Sequence, residues 1–205
     1  MISVIGNLKG GTGKSTVAFN LSLWVATNRN VHVVVYDFDP QATLTDALEI
    51  RTEDGYQPSI TPKNQVADLV QEGENTEVFV DIGMSDMDAM KIAIQKADRV
   101  IIPIAPSQAD VWSTQRFINM IIEIRGSNVP DVIGFMNRSD THVAVRETDE
   151  AFTALSTLKV IKMLDERLYQ RTAYRRSFSE GLAVFEMNAK SKAALEVEAL
   201  GKVLY

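Results

Sequence analysis

Residues Lys9–Thr16 read KGGTGKST, and the run decides how the flanking segments are read. Before it, Ile2–Ile5 (ISVI) has the look of a short buried strand. After it, Val17, Ala18, Leu21, Leu23 and Trp24 recur at helical spacing. A glycine-rich turn between a strand and a helix is the setting of a phosphate loop. Gly10, Gly11 and Gly13 permit positive φ and close backbone approach. Successive amides, those of Thr12 and Thr16 among them, then point at phosphate oxygens, and the helix N-terminus adds its partial positive charge. Lys14 is placed to reach the terminal phosphates, and the Ser15 hydroxyl to meet Mg2+. Lys9 is a second cation that this scheme leaves unexplained.

Outward from the loop, apolar runs alternate with helical patterns. Strand-like runs lie at Val31–Tyr36, around Val78–Val80, Val100–Ile104, Val132–Met136 and Val160–Met163. They are continuous rather than alternating, as strands buried on both faces are. Helical patterns are expected near Asp86–Ala97, Asp110–Ile124, Val143–Leu155 and Asn188–Leu204, and the polar stretch Ile50–Gln65 is expected to be a loop. The alternation predicts a single α/β domain over residues 1–205, a doubly wound, mostly parallel sheet with helices on both faces.

The composition agrees, with 45% hydrophobic and 23% charged residues in 205. The absence of cysteine removes disulfides, thiolate-held zinc and iron–sulfur clusters. No apolar run approaches the roughly 18 residues of a membrane span, and no signal-like segment precedes the first strand, so a cytoplasmic protein is expected. A net charge of −6 speaks against nucleic acid until its distribution is considered.

In an open α/β sheet ligands sit beyond the carboxyl ends of the strands. The second run ends in Asp37-Phe38-Asp39-Pro40-Gln41, whose two carboxylates project from one side of an extended chain. The third, VFVDIGMS, ends in Asp81, which suits a magnesium-meeting aspartate, with Gly83 behind it. Pro103 and Pro106 are expected to make a rigid turn after the fourth. Asn137, in FMNRSD, ends the fifth. An amide there suits the edge of adenine, and it equally suits a turn.

The deviant loop beginning with Lys9, together with D-x-D-P-Q, resembles the deviant Walker family of ParA and MinD ATPases, and the likeness spans nearly the whole chain. It implies that Lys9 crosses a dimer interface to the partner's nucleotide, that Asp39 positions the attacking water, and that Asp37 helps hold magnesium through its waters. Asn137, with Arg138 behind it, becomes the adenine candidate. The block from Leu168 to Glu186 resembles the C-terminal part of compact partition proteins. Lys159–Arg176 there holds six basic residues against two acidic ones. Arg167, Arg171, Arg175 and Arg176 are therefore candidates for sequence-tolerant DNA binding, although such a run also reads as a solvated face. The resemblance implies a slow, magnesium-dependent ATPase that forms a homodimer with ATP on nucleoid DNA. It would position a plasmid, chromosome region or protein compartment such as a carboxysome through a cargo-bound, ParB-like adaptor that stimulates hydrolysis. Two alternatives stand beside it: a MinD-like membrane-cycling ATPase, and an ATP-dependent enzyme of the dethiobiotin synthetase kind.

Overall fold

The computed structural model describes residues 1–69, 73, 75–142 and 146–205. Six strands form one sheet: β1 (Ile2–Ile5), β2 (His32–Asp37), β3 (Thr76–Asp81), β4 (Arg99–Ile104), β5 (Asp131–Ser139) and β6 (Ile161–Tyr169). Their order is β2-β3-β1-β4-β5-β6, and every pair is parallel. All four residues of β1 are buried, because the strand has a neighbour on each edge and helices on each face.

The helices are α1 (Lys14–Asn28), α2 (Thr43–Glu53), α3 (Met87–Lys96), α4 (Gln108–Arg125), α5 (Glu147–Ser156), α6 (Thr172–Ser179), α7 (Val184–Met187) and α8 (Lys192–Leu204). One face of the sheet packs Val4, Val80 and Ile102 against Met90, Phe117, Ile121 and Leu155 of α3–α5. The other packs Ile5, Val35 and Phe79 against Phe19, Leu23 and Trp24 of α1 and Val197 and Leu200 of α8. Val197, Leu200 and Leu204 of α8 thus go into the core while Leu195 and Val203 stay exposed, and Trp24 Nε1 donates to Glu198 Oε2 at 2.6 Å. Among the described residues no helix is long and apolar enough to cross a membrane.

Several sequence expectations shift. Ile50–Glu53 belong to α2, so the loop is shorter than Ile50–Gln65. Pro103 pairs with Phe135 inside β4 and only Pro106 lies in the turn. The last strand runs on to Tyr169, where register irregularities against β5 obscure its periodicity, so Arg167 stands on a strand. Val143 lies outside the described residues.

Parallel pairing settles where chemistry collects. In register, Asp37 lies beside Asp81, and Asp81 beside Ile5, so the ends of β2, β3 and β1 meet at one edge. The C-terminal block is tied to α2 through Arg51, which is wholly buried. Its guanidinium forks onto both Glu186 carboxylate oxygens at 2.8 Å and also donates to the carbonyls of Gln57, Pro58 and Gly181. Removing one partner of a buried pair costs about 3–5 kcal/mol by stranding the other charge. Glu186→Ala should therefore lower unfolding stability towards the lower end of that range, because three carbonyls remain. A change under about 1 kcal/mol in denaturant titration would contradict this tie.

Candidate functional site

The loop between β1 and α1 turns on two left-handed glycines, Gly11 (φ 75°) and Gly13 (φ 87°). Gly13 caps α1 without a side-chain partner, and a Cβ added to it would lie 2.6 Å from Asn137 Nδ2. No other residue fits there without displacing Asn137. Lys14 follows with only 7% of its surface exposed, and its ammonium donates to one long partner, the Lys9 carbonyl at 3.4 Å. A buried cation so poorly paired marks a place where an anion belongs.

An open cleft of about 550 Å3 faces this lysine, lined by Gly10, Gly11, Gly13, Ser15, Thr16 and Asp39 among others. Asp39 is held by local bonds: its amide donates to Asp37 Oδ1 at 3.1 Å, and its Oδ1 accepts from the Gln41 amide at 3.0 Å. Its carboxylate lies against Gly83, where an added Cβ would come within 2.5 Å of it. Gly83 therefore lets the D-x-D-P-Q turn and the end of β3 touch.

Asp37 is already committed, since Oδ1 serves the Asp39 amide and Oδ2 accepts from the Thr45 amide and hydroxyl at 2.9 Å. Its carboxylate secures the first turn of α2. Asp81 differs. It is fully buried, and neither oxygen has a hydrogen-bond partner among the described residues. Burial pushes its carboxyl up to about 7, while the Ser15 hydroxyl and Lys14 pull it down and Asp37 and Asp39 push it up. Among the described residues no cluster of three or more acidic or histidine ligands exists. Magnesium, which keeps several waters and is commonly held by one or two protein groups plus phosphate, suits Asp81 with Ser15.

Lys9 does not reach out. Its Nζ pairs with Asp110 Oδ2 of α4 at 2.5 Å in the same chain, the Asp110 side chain being 2% exposed and that of Lys9 40%. Ser107 caps α4 and also donates to that oxygen. Asn7 joins the same corner, accepting from the Lys9 amide and the Ser113 hydroxyl and donating to the Pro103 carbonyl. Neither Asn7 nor Asp110 stood out as a site residue in the sequence, where Asp110 only opens an expected helix. Beyond them, Trp112 on α4 and Met84 after β3 stay exposed, at 55% and 46%.

Behind the loop a cavity of about 200 Å3 is lined by Val17, Leu168, Tyr169, Tyr174, Arg171 and Arg175 among others. The Tyr174 hydroxyl donates to Glu196 Oε2 at 2.9 Å, and burial raises its pKa well above the ordinary phenol value. The four candidate arginines do not gather. Arg167 pairs with Asp149 at 2.7 Å, Arg171 with Glu196 at 2.6 Å and Arg176 with Glu180 at 3.0 Å. Arg175 has no carboxylate partner among the described residues and lies at the cavity wall. All three carboxylates, Asp149, Glu180 and Glu196, lie outside Lys159–Arg176, so a local tally of charge misses them.

Comparison with known proteins agrees with this architecture. The CobQ/CobB/MinD/ParA nucleotide binding domain profile matches residues 3–184. Maintenance of carboxysome distribution protein A of Halothiobacillus neapolitanus is 27% identical over 198 residues, covering 94% of this chain and 90% of that protein. Two solved structures share the fold. A Cyanothece McdA variant bound to ATP superposes with a TM-score of 0.77 at 18% identity, covering 99% of this chain and 95% of that one. The septum site-determining protein MinD of Pyrococcus horikoshii with Mg-ADP gives 0.76 at 17%, with the same coverage.

Asp81 supplies a stability test. A carboxyl raised when folded stabilises below its unfolded value near 4 and loses that contribution as pH rises through about 7. Nucleotide-free wild type should thus lose stability relative to Asp81→Asn between about pH 4 and 7. At pH 8 the variant should melt several degrees higher, at about 2–4 °C for each kcal/mol. Parallel stability curves for the two proteins would refute the buried unpaired carboxylate.

Proposed function

Since the chain belongs to the CobQ/CobB/MinD/ParA nucleotide-binding domain family, we propose that it is a ParA-type positioning ATPase that hydrolyses MgATP slowly and dimerises around it. The observation that carries this reading is the buried, under-paired Lys14 at the mouth of a cleft that also holds Asp39 and Ser15. Triphosphate oxygens supply the anions that Lys14 lacks, with loop amides completing the cradle. Asp81 and Ser15 would hold the magnesium that accompanies them, which neutralises phosphate charge when bound. Asp37 acts more remotely, by setting the Asp39 turn. Asp39, restrained by Gln41 and Gly83, orients water for attack on the terminal phosphate. ADP and phosphate leave.

Lys9 belongs to the dimer. In the free chain it is occupied by Asp110, and exchanging that carboxylate for the phosphates of the partner subunit's nucleotide links ATP to association. Met84, exposed on the wall of the cleft, and Trp112, exposed on α4, are apolar surface that a second copy would cover. Adaptor-stimulated hydrolysis then separates the subunits. A carboxysome-like or plasmid cargo is suggested by the names of the relatives, and nucleoid DNA is the track on which the dimer would stay. Arg175 and Arg176 are the arginines best left for phosphate contact, the Arg176–Glu180 pair being an exposed one of small worth. A MinD-like membrane cycle is disfavoured because Val197, Leu200 and Leu204 of α8 are packed in the core, which leaves Leu195 and Val203 as its large exposed apolar residues.

The deciding measurement is oligomeric state and turnover with MgATP. Asp39→Ala should bind ATP and remain dimeric with hydrolysis reduced by at least tenfold, and Lys14→Ala should lose nucleotide. Lys9→Ala should stay monomeric, whereas Asp110→Asn should dimerise at lower ATP than wild type. A Lys9→Ala protein with normal turnover would favour the small-molecule enzyme instead. For DNA, ATP-dependent binding should weaken steeply with salt and fall in Arg175→Ala/Arg176→Ala; binding indifferent to nucleotide or to those arginines removes the track.

A further inference from the structure

At the end of β5, two consecutive residues reach across to the phosphate loop. Asn137, 6% exposed, donates from Nδ2 to the Thr12 carbonyl at 2.6 Å, and Arg138 donates from Nη1 to the carbonyl before it, that of Gly11. Arg138 is tethered in turn, its Nε donating to Gln170 Oε1 at 2.9 Å. Its backbone sits at φ 56°, a region that non-glycine residues seldom occupy and that costs energy. Among the described residues only two others with a side chain share a positive φ, Ala42 and Asn75. An unfavourable backbone held in place by three side-chain bonds implies that the direction of these side chains matters.

We propose that Asn137 and Arg138 are positioning residues that brace the phosphate loop. In a planar trans peptide the carbonyl and the following N–H point in opposite directions. Anchoring the Gly11 and Thr12 carbonyls towards β5 therefore turns the amides of Thr12 and Gly13 the other way, into the anion cradle. Without those bonds the glycine-rich backbone is free to rotate, and the cradle must be ordered by the ligand at an entropic cost. The bond to Thr12 takes one of the two N–H groups of the Asn137 amide, and both residues also line the cavity behind the loop. The contact that forbids a side chain at Gly13 is the same Asn137 amide, so loop and brace form one fitted unit. This inference rests on the reading that the loop holds nucleotide phosphates.

The test compares dissociation constants for MgATP and Mg-inosine triphosphate, which share phosphates and differ at the base edge, by calorimetry. Arg138→Ala should weaken both by a similar factor, about five- to tenfold, with the ratio between the two nucleotides unchanged, and Asn137→Ala should weaken both as well. Arg138→Lys, which keeps a donor for Gly11, should recover most of the loss. Because Arg138 is exposed, its alanine variant should keep the nucleotide-free melting temperature, separating a brace from a general structural role. Loss confined to ATP would overturn the proposal in favour of base reading, and unchanged affinity for both would overturn it outright. Wild type that binds neither nucleotide would remove the phosphate reading itself, an outcome distinct from either.

Discussion

An anion site made of backbone amides has no side chains with which to hold its own shape, and the rest of this molecule is arranged around that constraint. The cradle hangs between a strand with no exposed residue and a helix whose first residue is a buried lysine. β1 lies between β3 and β4, so the loop is approached from one side by the acidic turns after β2 and β3 and from the other by α4 and the end of β5. Every neighbour contributes a contact: Asn7 and Asp110 on one flank, Asn137 and Arg138 on another, Gly83 against Asp39 on the third.

The same crowding leaves charge poorly balanced. Lys14 has a long bond to a carbonyl, Asp81 has no partner, and a buried Asp110 keeps one oxygen orphaned even while it pairs with Lys9. Each of these groups costs stability in the free chain. On the function proposed above, nucleotide with magnesium would relieve the first two together. The Asp110–Lys9 pair answers differently, because drawing Lys9 away strands a buried carboxylate.

The fold was legible wherever a segment is buried on both faces. β1 to β5 announce themselves as unbroken apolar runs, and the loop announces itself through glycines that only its backbone needs. The candidate site stood out as carboxylates gathered at strand ends, although one of them, Asp37, serves the first turn of α2 and the turn before it. β6 was harder, because an edge strand with register shifts against β5 and charged residues on its open side lacks a clean period. α6, a short helix with a charged face, was hidden inside a basic run. The roles of individual side chains were legible least of all. Arg171, Arg167 and Asn137 each found partners 18 to 125 residues away, a distance across which sequence spacing is silent. Charge counted along a chain is blind to carboxylates brought in by folding.

The two tryptophans stand in opposite surroundings. Trp24 is enclosed between α1 and α8 with its indole N–H bound to Glu198, whereas Trp112 is more than half open to water on the helix that secures Lys9. Their emission is thus separable: the first is blue-shifted and shielded from dissolved quenchers, the second red-shifted and accessible to them. The molecule in this way carries an internal optical reference alongside a reporter on α4, so that events at the surface of that helix and events in the core give different spectra without any label.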